Sequence, residues 1–181
     1  MAKVFEKLEM KHNDFIRKQK LFFVATAPLS DSGHVNLSPK GYDSFAVIDD
    51  ATVAWLDLGG SGIETLAHLK ENGRITIMFC AFEGAANILR LYGRGEAVQF
   101  DDSRFPELLN LFPEFDQARS IVVVKLDRVQ DSCGWGVPFM DFKEHREQLK
   151  RNWDHARTKP EGAEAYYRMN EASIDGLKGI E

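Results

Sequence analysis

Three short segments carry side chains able to hold an anion or a flat polar ring. In residues 35–41, a strand delivers Asn36, Ser38 and Lys40 into a bend made by Pro39 and Gly41. Backbone N–H groups beside a lysine point charge suit a phosphate monoester, and a solvated turn lysine is the plain alternative. In the second, Gly59-Gly60-Ser61-Gly62 opens a helix, where glycines let a ligand approach free N–H groups at the positive end of the helix dipole. Ser61 and Glu64 also have the spacing of a capping box, which would explain the serine without any ligand. In the third, residues 87–95, Arg90, Tyr92 and Arg94 project from one strand face. The arginines, about 13 Å apart at the strand rise, suit a clamp on a phosphate and a more distant carbonyl, or ordinary surface salt bridges. Gly93 and Gly95 within that strand favour a close backbone approach or a barrel bend.

Other chemistries find less support. His12, His34, His68, His145 and His155 lack the spacing of a zinc or di-iron site, and neither H-E-x-x-H nor G-x-S-x-G occurs, so no metal is assigned. A Ser/His/Asp triple can be drawn from scattered residues, but nothing positions a nucleophile. The net charge of −5 argues against nucleic acid or an anionic membrane surface as partner, so any anion site must be local. Cys80 and Cys133 belong to no C-x-x-C pair, which suits a reduced compartment. The N-terminus has no apolar signal core and no run of about 18 apolar residues could span a bilayer, so the expected location is the cytoplasm.

The elements that must position these residues read as mainly β. Residues 1–19 have a weak helical pattern. Strands are expected at 21–27 and 34–38, a hairpin over 45–58, and strands at 74–82, 87–100 and 121–126. In the hairpin, Val53, Trp55 and Asp57 share one face, and Ala54, Leu56 and Leu58 the other. Helical spacing covers 61–72, closed by Asn72-Gly73. A shorter helix has Asp102 or Ser103 as cap, Pro106 in its first turn, and Phe105, Leu108, Leu109 and Phe112 as its buried stripe. Charged helical sequence runs from 142 to about 158, and a last helix from roughly 163 to 177. Six or seven short strands with two interrupting helices predict an antiparallel split β-barrel with flanking helices and a helical C-terminal tail, since a parallel sheet needs a crossover helix after nearly every strand. Residues 1–140 form the expected barrel domain, and 141–181 a helical extension packed on the barrel or on a dimer partner.

In this order, the strand-bend 36–41, the hairpin into Trp55-Leu56-Asp57-Leu58, the helix 61–72 followed by Gly73-Arg74-Ile75-Thr76-Ile77-Met78-Phe79, and Leu91-Tyr92-Gly93-Arg94-Gly95-Glu96-Ala97 resemble the pyridoxamine 5′-phosphate oxidase-like, FMN-binding split-barrel family. Cys133-Gly134-Trp135-Gly136-Val137-Pro138 is similar to the closing segment of one branch of it. The resemblance implies a homodimer with two FMN molecules at the interface, the phosphate held by basic and hydroxyl residues and the ring lying along the first barrel strands. The matching positions are Asn36, Ser38 and Lys40, then Asp57, Ser61 and Thr65 around the helix start, then Arg90 with Arg94. Asp57 would serve a ribityl hydroxyl or ring N–H, because a carboxylate repels phosphate. Trp135 would stack on the ring edge, from the second subunit, or pack in the core. Genuine pyridoxamine phosphate oxidases end in an arginine-rich substrate segment closed by a proline. Residues 139–181 are instead mixed-charge and helical, which points away from vitamin B6 oxidation. The expected function is an FMN-dependent oxidoreductase acting on a small molecule with a separate electron donor. The alternative is a non-catalytic or redox-sensing protein that binds flavin, haem or a deazaflavin.

Overall fold

The computed structural model describes residues 2–159 and 162–180, the side chains of Ala163 and Tyr166 excepted. Its strands are β1 (Lys3–Phe5), β2 (Leu21–Thr26), β3 (Asn36–Gly41), β4 (Phe45–Val47), β5 (Thr52–Asp57), β6 (Arg74–Cys80), β7 (Ile88–Gln99) and β8 (Ser120–Ser132). The helices are α1 (Met10–Lys18), α2 (Glu64–Asn72), α3 (Phe105–Leu109), α4 (Gln148–Arg157) and α5 (Gly162–Tyr167). The strands form one curled antiparallel sheet in the order β3-β2-β6-β7-β8-β5-β4, with β1 added to β8. This is the split barrel that the hairpin-linked strands predict.

Alternation builds the sheet. Phe22, Val24 and Thr26 are the buried positions of β2, as a strand with one face on a core requires. β5 is buried on both faces. Val53 and Trp55 enter the barrel core with Phe22, Val24, Ile77, Leu89 and Leu91. Ala54 and Leu56 face outward into a second cluster with Phe105, Phe112, Ile121 and Trp153. Each large apolar side chain sealed this way contributes about 1.5–3 kcal/mol. Gly93 sits at the register shift between β7 and β8. A Cβ there would meet the Lys125 carbonyl oxygen at 2.1 Å, so the backbone approach excludes any side chain.

Several boundaries differ from the sequence expectation. The N-terminal segment is split into β1, paired with Gln130 on β8, and a later helix. β3 begins at Asn36 rather than His34 and runs through Pro39 and Lys40 to Gly41, so these residues belong to a strand and not to a bend. Proline is tolerated there because β3 ends the sheet order and has an unpaired side. α3 is capped at Arg104, whose backbone N–H bonds the Asp102 carboxylate. The helix expected from 142 starts at Gln148, and the last helix stops at Tyr167. The chain then continues as an irregular strap whose Ile180 re-enters the barrel core. Trp153 of α4 donates its indole N–H to the Leu58 carbonyl at 3.0 Å, fixing the tail on the end of β5.

Candidate functional site

Register decides which β3 side chains reach the site. Asn36, Ser38 and Lys40 stand opposite Thr26, Val24 and Phe22, so they share the inward face of β2, while Leu37 points out and is exposed. β5 delivers Asp57 from the same side of the sheet as Trp55. The Lys40 ammonium lies over the Trp55 ring, 5.0 Å from its centroid, a cation–π contact at the wall of a polar space. Burial holds Lys40 below the usual lysine range. Asp57 opposes that shift, and Arg119 adds to it.

The space is a cavity of about 310 Å³ lined by Ser38, Pro39, Lys40, Asp57, residues 59–65 and Arg119. Asp57 and Arg119, only 2% and 4% exposed, form an ion pair with Nε to Oδ2 at 2.7 Å. The Ser120 hydroxyl also donates to that carboxylate at 3.4 Å. The guanidinium donates again to the Gly62 carbonyl at 3.1 Å, anchoring the glycine loop beside β8. The Asp57 charge is thereby neutralised by Arg119, and Lys40 has no ion-pair partner among the described residues. The cavity is left with the Lys40 cation, the hydroxyls of Ser38, Ser61 and Thr65, a glycine-rich backbone, and the Glu64 carboxylate at its α2 end.

The capping box read from Ser61 and Glu64 does not form. α2 begins at Glu64 with Ile63 as its N-cap, and no side chain caps it. Glu64 is therefore the first helical residue rather than the third, and it accepts from the Ile174 N–H of the strap at 3.3 Å. Ser61 is left in the loop that lines the cavity, and Gly59 takes the left-handed conformation (φ 78°) that lets this loop turn.

Asn36 stands behind the cavity and bonds two of its hydroxyls. Its amide donates to Thr65 Oγ1 at 3.0 Å, and its carbonyl accepts from Ser38 at 3.2 Å. Five expected residues, Ser38, Lys40, Asp57, Ser61 and Thr65, thus line one cavity and a sixth supports it. The other three lie elsewhere on the chain. Arg90 bonds Ser132 across β7 and β8. Arg94 donates to the Asn72 carbonyl at the end of α2, where a cation also suits the helix dipole. Trp135 is 86% exposed. Arg119 is a residue of the cavity wall that the sequence reading missed. Its only signal was an arginine heading the apolar run of β8, and the pairing Asp57↔Ser120 that brings it to Asp57 is a matter of register.

Comparison with known proteins agrees with this fold. Residues 8–133 match the profile described as pyridoxamine 5′-phosphate oxidase. The chain belongs to that family. A relative in Aspergillus flavus, the pyridoxamine 5′-phosphate oxidase family protein ustO, is 34% identical over 192 aligned positions, covering 97% of this chain and 77% of the relative. Two crystal structures of HupZ from Group A Streptococcus share the fold. One, of a single-substitution variant, has a TM-score of 0.57 at 22% identity over 68% of this chain and 98% of HupZ. The other has a TM-score of 0.55 at 23% identity over 67% and 91%. Among the described residues of this family member, no helix is long and apolar enough to cross a membrane, and no group of His, Cys, Asp and Glu is placed to hold a metal ion.

Proposed function

We propose that the chain binds flavin mononucleotide, with the phosphate in the cavity between β3, β5 and the start of α2, and that it is an FMN-dependent oxidoreductase acting on a small molecule. The observation that carries this reading is the Lys40 ammonium, half-buried and without an ion-pair partner among the described residues, closing a cavity of three hydroxyls and a glycine loop. The donor set suits a phosphate monoester: a point charge, O–H donors, and backbone free of side chains. Lys40 neutralises the anion, Ser61 and Thr65 donate to it, Ser38 spends its proton on the Asn36 carbonyl and so holds Asn36 in place, and Arg119 keeps Asp57 from repelling the phosphate. Arg119 also holds the glycine loop in place through Gly62. When bound, the flavin supplies hydride or single-electron transfer, and the protein supplies orientation and electrostatics.

The ring would lie along β2 and β3 and be covered by a second copy of the chain. Exposed Leu37, Trp135, Phe139 and Phe142 provide apolar surface for that contact. Arg90 and Trp135, distant from the cavity of their own chain, would then act at the partner's site. An absorbance titration of purified protein with FMN, followed by gel filtration, tests the reading. Retained flavin bands that weaken in Lys40→Ala, and that NADH or NADPH bleaches without oxygen, are the expected result. Failure to retain FMN at excess would refute flavin binding, and retention without bleaching by any donor would refute turnover.

A further inference from the structure

His68 is fully buried in α2, one turn on from Thr65 of the cavity wall, and has no part in the proposed contacts with phosphate. Its Nδ1 lies 2.9 Å from Thr26 Oγ1, and its Nε2 has no hydrogen-bond partner among the described residues. Thr26 Oγ1 also accepts from the Asn36 amide at 3.3 Å, and the same amide donates to Thr65 at 3.0 Å. A continuous chain of hydrogen bonds therefore joins a buried imidazole to a hydroxyl of the cavity wall.

With the Asn36 carbonyl turned to Ser38 and its amide to both threonines, counting donors sets the direction of the rest of that chain. If Nδ1 carried the proton, Thr26 Oγ1 would accept from both His68 and Asn36. Its own proton would then have no acceptor, and the Nε2 lone pair would also be bare. If Nε2 carries the proton, Thr26 donates to Nδ1, and only the Nε2–H is left without a partner. The second arrangement leaves fewer buried groups unsatisfied, and burial, which holds His68 below the usual histidine range, keeps it neutral. We infer that His68, as its Nε2–H tautomer, acts through Thr26 to lock the Asn36 amide so that the Thr65 hydroxyl proton is free to donate into the cavity. His68 and Thr26 are positioning residues: they make Thr65 a donor to an anion and touch no ligand themselves.

This inference rests on phosphate occupying the cavity, so it is tested by two readouts. The first is the ratio of affinities for FMN and riboflavin, which differ by the phosphate, in wild type, Thr26→Val and Thr26→Ser. Valine keeps the shape and removes the hydroxyl. FMN affinity should fall about tenfold, as for a lost hydrogen bond to a charged group, riboflavin affinity should hold within about twofold, and serine should restore FMN binding. A loss shared equally by FMN and riboflavin, or no loss, would overturn the inference while leaving FMN binding intact. The second is the pair of ¹⁵N chemical shifts of the His68 ring at neutral pH, which needs no flavin. A protonated Nε2 with a bare Nδ1 is expected, and the opposite tautomer would overturn the inference even if FMN binds in the cavity.

Discussion

Asp57→Asn separates two roles that its position allows. The pair with Arg119 is almost completely buried, and its shortest contact is 2.7 Å. Breaking such a pair by deleting one partner costs about 3–5 kcal/mol, mostly because a charge remains buried without compensation. Asparagine keeps an acceptor at the same place, so one neutral bond survives, worth about 1 kcal/mol, and the expected loss is about 2–4 kcal/mol. For a chain of this length each kcal/mol shifts Tm by about 2–4 °C, giving a drop of ~4–16 °C by thermal denaturation. FMN affinity should move the other way. Removing one negative charge leaves Arg119 as a second available cation in the cavity, so the phosphate should bind several-fold tighter at low salt. If Asp57 instead bonds the ribityl chain, the folded variant will bind FMN more weakly, and the reasoning about charge will be wrong. The double variant Asp57→Leu/Arg119→Met provides the control. It should be more stable than the sum of the two single losses, and strict additivity would refute the pair as the source of the effect.

Lys40 is held below its ordinary value of 10.5 by burial, so FMN affinity should decline as pH rises toward 10, before ordinary lysines titrate. Lys40→Arg should move that decline to higher pH in a fluorescence titration. His12 and His68 are both held below 6.5 by burial. The unfolded chain therefore binds more protons than the folded one once pH falls below about 6.5, and stability should drop there. Replacing His68 with phenylalanine should flatten the acid limb of urea-denaturation midpoints against pH. Gly93→Ala should cost about 3 kcal/mol or prevent folding, because the added methyl meets backbone rather than a flexible side chain; a midpoint within experimental error of wild type would refute the close approach. Trp135→Asp should shift the light-scattering mass from twice 20.5 kDa toward 20.5 kDa if Trp135 belongs to a dimer contact.

How far the site was legible in the sequence depends on whether its parts interact locally. Lys40 was read in a Pro/Gly bend, and only the continuation of β3 through Pro39 puts it on the inward face, whereas the inward placement of Asn36 and Ser38 and the paired faces of residues 53–58 follow from strand alternation. These need only the knowledge that the segment is extended. Ser61 was ambiguous because a serine three residues before a glutamate satisfies a local rule, and a local rule cannot see that Glu64 bonds the strap some 110 positions away. Arg119 was invisible for the same reason: its carboxylate partner is 62 residues distant, and only the register of β5 against β8 sets them together. The run 168–180 carried no sign of a strap, since its anchors are long-range contacts such as Asn170 to Gly60 and the Asp175 carboxylate to the His34 backbone N–H and ring. The candidate cavity is thus half encoded by strand period and half by pairing register. Substitutions at Lys40 or Ser38 should act on ligand affinity with little effect on stability, whereas substitutions at Asp57 or Arg119 must act on both, because the same bonds hold the glycine loop and set the charge of the cavity.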